Sequence, residues 1–143
     1  MPYTTELTQD CLGILHTGSG VVTGAELLAA SVAATRLVQN TANFQYEFGD
    51  WSAVTEMRVA PEEVERIVAQ DRIAARSRPQ AIVVLVVPQG ESYRLAQAWE
   101  EQVRDLGWTI HLARERSEAV QWLTHHIQTE RPELLAGKNL NVA

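Results

Sequence analysis

The stretch "VPQGESYR", residues 87–94, holds the residue types best suited to gripping an anion. Gly90 marks a turn, and the helix opening at Glu91 offers unpaired N–H groups at its positive end. Ser92, Tyr93 and Arg94 would then add polar contacts to a carboxylate or phosphate head group. Arg114 and Arg116, in "ARERSE", can join them if they lie beyond the carboxyl ends of parallel strands, where ligands of such sheets collect. Against this, one glycine is a weak signal, and neither a P-loop nor a G-x-G-x-x-G is present. The segment reads first as an ordinary loop, with its arginines paired to Glu91, Glu115 and Glu118 at the surface, where each pair contributes little.

Other combinations are weaker. His125 and His126 are adjacent, and neighbouring helical residues point about 100° apart, which suits a shared metal ion badly. His126 continues an apolar stripe and His125 looks outward. His16 and His111 fall on strands, partly buried or at the surface. No Ser-His-Asp order, paired-carboxylate motif or H-E-x-x-H is visible. The apolar run ends in Val87-Pro88, so no aspartate stands there for phosphorylation as in a receiver domain. Cys11 is the only cysteine, which excludes an internal disulfide and a thiolate cage; it is expected to pack as a small apolar side chain. No metal or cofactor is expected. Asp50-Trp51-Ser52 reads as turn chemistry, with Asp50 bonding nearby amides. Trp51 on that turn is either a core plug or, with Asp50 and Ser52, part of a surface that meets a partner.

These residues need a frame. The chain has 143 residues, 45% apolar and 21% charged, the size of one domain with one core: residues 1–143, with a core over about 10–130 and a C-terminal tail from about 131. The longest apolar run, Ala81–Val87, is under half the roughly 20 residues of a membrane span. The N-terminus carries neither a secretory nor a transit pattern, so a cytoplasmic location is expected. A net charge of -6, with Lys138 the only lysine, speaks against general nucleic-acid binding.

Strands alternate with amphipathic helices, the pattern of an α/β layer structure. Residues 10–16 predict a first strand, "TGSG" a turn, and Val21-Val22 a short second strand pairing back. Thr23 and Glu26 have capping-box spacing ahead of a helix over about 24–40. Phe44, Tyr46 and Phe48 alternate with Gln45 and Glu47, predicting a strand near a sheet edge with one wet face, followed by a turn at Gly49-Asp50 and an extended Val54–Val59. Pro61, Glu62 and Glu63 suit the first turn of a helix to about Ser77. Asp71 falls on its inner stripe, and an unpaired carboxylate there favours the stripe's edge. The run "AIVVLVV" predicts the middle strand, covered by helices on both faces. A helix over about 91–106 ends at Gly107, a strand follows at 108–113, and a last helix begins near Ser117.

The order "VTGAEL", "YEFGDWSAV", "VAPEEV", "AIVVLVV", "EAVQWL" resembles the STAS-like group related to bacterial anti-sigma-factor antagonists, which is also similar to CRAL-TRIO lipid-binding domains in chain path. The resemblance covers about 10–130. It implies a single-domain α/β fold with a mixed, mostly parallel sheet of four to five strands flanked by about four helices. It also implies a regulatory or ligand-binding role, not catalysis. In that family a phosphoacceptor serine lies at the turn matching Val59-Ala60-Pro61, where this chain has no hydroxyl; Ser52 and Thr55 lie too far upstream, by more than about 10 Å of extended chain. The expectation is therefore a non-enzymatic module that presents a surface to a protein partner without the serine switch. The alternative is a carrier or sensor of a small amphipathic or anionic ligand, such as a lipid or fatty acid, with Arg94 or Arg114 on its acidic head. The Phe44–Phe48 strand, as an edge, would allow a homodimer.

Overall fold

The computed structural model describes residues 2–41, 43–135 and 140–142, so Lys138 and part of the expected tail lie outside the described residues. Its sheet has five strands in spatial order: β1 (Tyr3–Leu7), β2 (Gly13–Thr23), β3 (Tyr46–Arg58), β4 (Ile82–Val86) and β5 (Thr109–Ala113). β1 runs antiparallel to β2, and every later neighbour is parallel. Among the described residues four α-helices pack on the sheet: α1 (Gly24–Gln39), α2 (Pro61–Ala74), α3 (Glu91–Val103) and α4 (Arg116–Glu130). The α/β class and the mixed, mostly parallel sheet are those expected.

The period-2 alternation of β4 sorts the layers. Ile82, Val84 and Val86 pack with Ala119, Leu123 and Ile127 of α4. Val83 and Leu85 face the opposite layer, with Leu27 of α1 and Leu95, Ala96 and Trp99 of α3. All five β4 residues are buried, as an apolar run covered on both faces requires. Packing extends beyond residue 130, since Leu135 and Val142 join the α4 layer. Among the described residues no helix is long and apolar enough to cross a membrane.

The strand assignments need correcting at several points. "TGSG" is no turn; it lies inside β2, which continues through Val21 and Val22. Its glycines serve close approach and a bulge: a Cβ on Gly18 would press on Val54 and Tyr3, and Gly20 has φ +60, which only glycine adopts freely. The antiparallel partner is β1, whose largely exposed pattern gave no apolar signal. β3 does not turn at Gly49-Asp50 but runs for 13 residues, paired to β2 on one side and β4 on the other. It is the middle strand, and β4 is its inner neighbour. A homodimer through an open edge at Phe44–Phe48 is ruled out, because the backbone of Tyr46 and Phe48 is already paired on both sides and Phe44 precedes the strand. Register shifts against β2, between Thr17 and Ser19 and between Gly20 and Val21, insert additional β3 residues, and such bulges increase local twist.

The helix starts follow the sequence signals. Thr23 Oγ1 accepts from the Glu26 N–H at 3.3 Å and Glu26 Oε1 from the Thr23 N–H at 3.0 Å, the expected capping box. α2 starts at Pro61 but stops at Ala74, one turn short of Ser77. A 3-10 turn, Arg104–Leu106, ends the third helical segment, and Gly107 caps it at φ 80. Cys11 is exposed, not packed: it occupies a left-handed position, φ 59, in the tight loop where its N–H bonds Thr8 O at 3.0 Å.

Candidate functional site

Of the residues expected to form an anion site, two arginines are engaged by neighbouring side chains. Arg94 is exposed on α3, Ser92 is buried and Tyr93 half-buried beneath it. Arg114 is held by Gln89, whose amide oxygen, oriented to satisfy both groups, accepts from Nη1 at 2.6 Å and Nη2 at 3.0 Å. Arg116 Nη1 donates to Asp50 Oδ2 at 2.7 Å, and its guanidinium lies 5.3 Å from the Phe48 ring centroid.

Asp50 and Ser52 do meet, within a strand: Asp50 Oδ1 accepts from the Ser52 N–H at 3.0 Å and from its hydroxyl at 2.6 Å. Burial pushes the Asp50 carboxyl up, but the Ser52 bonds and the Arg116 charge outweigh it and hold the group below its ordinary value. Trp51 is a core residue, 7% exposed, and its indole N–H donates to Tyr3 Oη at 3.0 Å. Placing Trp51 on a surface loop is corrected by the continuation of β3: alternation turns the ring inward beneath α1 to α3.

A different place in the fold assembles chemistry. A cavity of about 100 Å³ lies between the sheet and the first three helices, directly under α2. Val83 and Leu85 line it from the sheet, and Leu27, Val64, Ile67 and Leu95 from the helices. Gly49 helps shape the sheet side, because a Cβ there would collide with Leu85.

Two buried carboxylates bound this cavity. Asp71, on α2, accepts from Ser31 Oγ of α1 at 2.6 Å and from the Trp99 indole N–H of α3 at 2.8 Å. One carboxyl therefore ties three helices together above the cavity, and the expected placement at the stripe's edge is corrected to burial, 6% exposed. Burial raises its pKa above the ordinary 3.8; the Ser31 and Trp99 bonds oppose the rise, the Glu47 charge adds to it and Arg78 opposes it.

The native state thus keeps a proton that the unfolded chain gives up. Stability from this group is full below about pH 4 and is lost as pH rises through the raised folded value. Asp71→Asn keeps the shape and can still accept from Trp99. Its stability relative to the parent should therefore improve as the pH rises above about 4, and level off once the raised Asp71 pKa is passed. Urea denaturation at a series of pH values reads this difference, and a gap that does not change with pH removes the assignment.

Glu47, between Tyr46 and Phe48, faces the same cavity. It is not on a wet face: Oε1 lies 2.8 Å from His16 Nε2, and Oε2 accepts from Arg78 Nη1 at 2.6 Å. Thr5 Oγ1 lies 2.9 Å from the other His16 ring nitrogen. Burial pushes Glu47 up, yet the Arg78 charge and the His16 hydrogen bond and charge prevail and hold it below its ordinary value. Sequence reasoning missed this network because its members lie 31 residues apart in either direction. The one available signal was a lone acid inside a run that proved to be covered on both faces.

Two further histidines, His111 and His126, stack on Trp122 in the opposite layer. His111 lies parallel to Trp122 at 4.4 Å, and Trp122 to His126 at 5.0 Å between centroids. Burial pulls the His111 pKa down against the Glu118 and Glu100 charges. Among the described residues no group of three or more His, Cys, Asp and Glu could hold a metal ion.

No protein-family model matches the sequence, and no curated protein matches it. Solved structures do. The anti-sigma factor antagonist SpoIIAA in its unphosphorylated form is similar with a TM-score of 0.51 at 8% identity, over 85% of this chain and 96% of that one. An uncharacterized protein of the DUF3478 family with a SpoIIAA-like fold, from Shewanella loihica PV-4, is similar at TM-score 0.47 and 13% identity, over 85% and 91% of the two chains. The fold is SpoIIAA-like, which is the STAS-like architecture expected from the order of the elements.

Proposed function

We propose that this SpoIIAA-like domain is a non-catalytic regulatory module that senses a small, compact, mostly apolar ligand in the cavity under α2 and answers by shifting the three-helix face that meets a protein partner. The observation that carries this reading is the Asp71 carboxyl joined to Ser31 and Trp99 over that cavity. An occupant that displaces Asp71 pulls on α1, α2 and α3 at once, and packed helices shift as bodies instead of deforming smoothly. SpoIIAA, whose fold this chain shares, is described as an anti-sigma factor antagonist, and an output directed at a protein agrees with that description.

A chemical input replaces the phosphorylation that the family resemblance suggests. Ala60 is the residue before α2, and its N–H is taken by Glu63 Oε1 at 2.9 Å. A methyl group cannot accept phosphate, so the α2 entrance carries no such switch. The cavity's volume also narrows the ligand class. About 100 Å³ is somewhat less than the engineered cavity of roughly 150 Å³ that takes benzene, so a fatty acyl chain does not fit without opening the helices.

2-Propanol, a small apolar body with one hydroxyl, is a suitable probe. Followed by amide and indole NMR, it should shift the Trp99 indole signal and the amides around Val64 and Ile67 saturably. Ala30→Leu, which fills the cavity from α1, should abolish those shifts while leaving a cooperative melt. Shifts that never saturate, or that persist unchanged in Ala30→Leu, reject the sensing role.

A further inference from the structure

A second cavity, of about 300 Å³, lies at the other end of the sheet, where β3 and β4 begin. Gln45, Gln80 and Ala81 precede those strands, and Thr41 and Ser77 add hydroxyls. Its charged lining is two arginines, Arg78 and Arg131, with no acid among the lining residues.

Arg78 is only 4% exposed and is unusually prepared for a ligand. Its guanidinium lies 5.1 Å from the Trp108 ring centroid and 5.9 Å from that of Phe44. Glu47 takes Nη1 alone, and Nε has no hydrogen-bond partner among the described residues. The free Nε side is the edge with which a guanidinium makes paired hydrogen bonds to a carboxylate. Leaving a shielded donor unpaired is costly; Nε exposes less than 1 Å², so an oxyanion in the cavity pairs with that edge once the Arg78 side chain swings towards it, and the pairing removes the cost.

Arg131, at the end of α4, is positioned by Gln45 Oε1 at 2.8 Å and Gln80 O at 3.1 Å. The nearby end of α1 would oppose an anion through its carbonyls, but three of these are already occupied. Asn40 Nδ2 donates to Arg36 O, Thr41 Oγ1 to Leu37 O, and the Thr41 N–H to Val38 O.

We propose that this second cavity binds a small carboxylate, held between the free edge of Arg78 and the charge of Arg131. The site is separate from the cavity under α2, so either assignment can fail without the other. It also differs from the expected cluster at Arg94 and Arg114, which lies on α3 and after β5.

The test uses the full chain titrated with acetate, succinate and citrate by calorimetry, at constant ionic strength with chloride as the control. At least one of the three should bind saturably at one site per chain. Arg131→Gln should weaken it by at least about tenfold while the unliganded variant still melts cooperatively, and Arg131→Lys should restore part of the loss. Arg94→Gln should leave binding unchanged. No saturable binding by any of the three, or binding indifferent to Arg131→Gln, overturns the proposal. Tighter binding of inorganic phosphate than of all three also overturns the carboxylate assignment and gives the site to phosphate.

Discussion

Replacing Glu47 by Gln is expected to cost about 3–5 kcal/mol of stability, among the largest effects of any single isosteric change in this protein. The side chain keeps its shape, so the loss comes from charge. Arg78 would remain 4% exposed with no carboxylate opposite it, and a buried unpaired cation is far costlier than a buried pair. His16 would lose its charged partner as well. The informative companion is the double variant Glu47→Gln with Arg78→Met. Taking away the stranded cation should recover at least half the loss, because replacing a buried ion pair by well-packed apolar groups is often neutral. Urea denaturation of the two single variants and the double closes the cycle. A Glu47→Gln variant as stable as the parent, or strictly additive losses in the double, contradicts the account.

Val84→Asp should prevent folding altogether. Val84 is 0% exposed, in one cluster with Phe48, Leu123 and Ile127, and its cross-strand neighbour His111 is held towards its neutral form by burial. The variant loses roughly 1.5–3 kcal/mol of apolar burial and adds the larger cost of an unpaired buried acid. Domains of this kind have a total stability of only about 5–15 kcal/mol. Far-UV circular dichroism and a thermal melt read the result. A cooperative melt within a few degrees of the parent would mean that β4 is not the dry interior strand described above.

Legibility in the sequence followed the range of the interactions. The Thr23/Glu26 box, Pro61 at a helix start and Gly107 at a helix end are local devices, and each marks a boundary that the structure keeps. The run 81–87 declared a covered strand because continuous β-branched residues suit little else. What the sequence hid were long-range pairings. Gly18 and Gly20 imitate a turn because the same freedom that makes turns also admits a bulge. Gly49-Asp50 likewise imitates a break inside β3, since nothing local says that β2 and β4 will hold that segment straight.

The candidate site was hidden for the same reason. Asp71 on an inner stripe was legible as a problem, but its solution lies on two other helices, at Ser31 and Trp99. Glu47 was read as solvent-facing because alternation alone cannot tell a half-covered strand from one whose second face is also covered. The arginines after β5 were conspicuous by type, and they prove to be occupied by Asp50 and Gln89. Arg78, beside Pro79, drew no notice and is the one buried arginine among the described residues.

The Glu47–Arg78 pair has a thermodynamic consequence. Its acid lines the cavity under α2 and its base lines the cavity at the start of the strands. A carboxylate arriving on Arg78 competes with Glu47 for the same positive charge and so changes the field felt by anything resting against Glu47. Linkage makes this mutual: whatever factor one occupant imposes on the affinity of the other, it receives back in equal measure. Two ligands that never touch would thus influence each other through a single shared salt link.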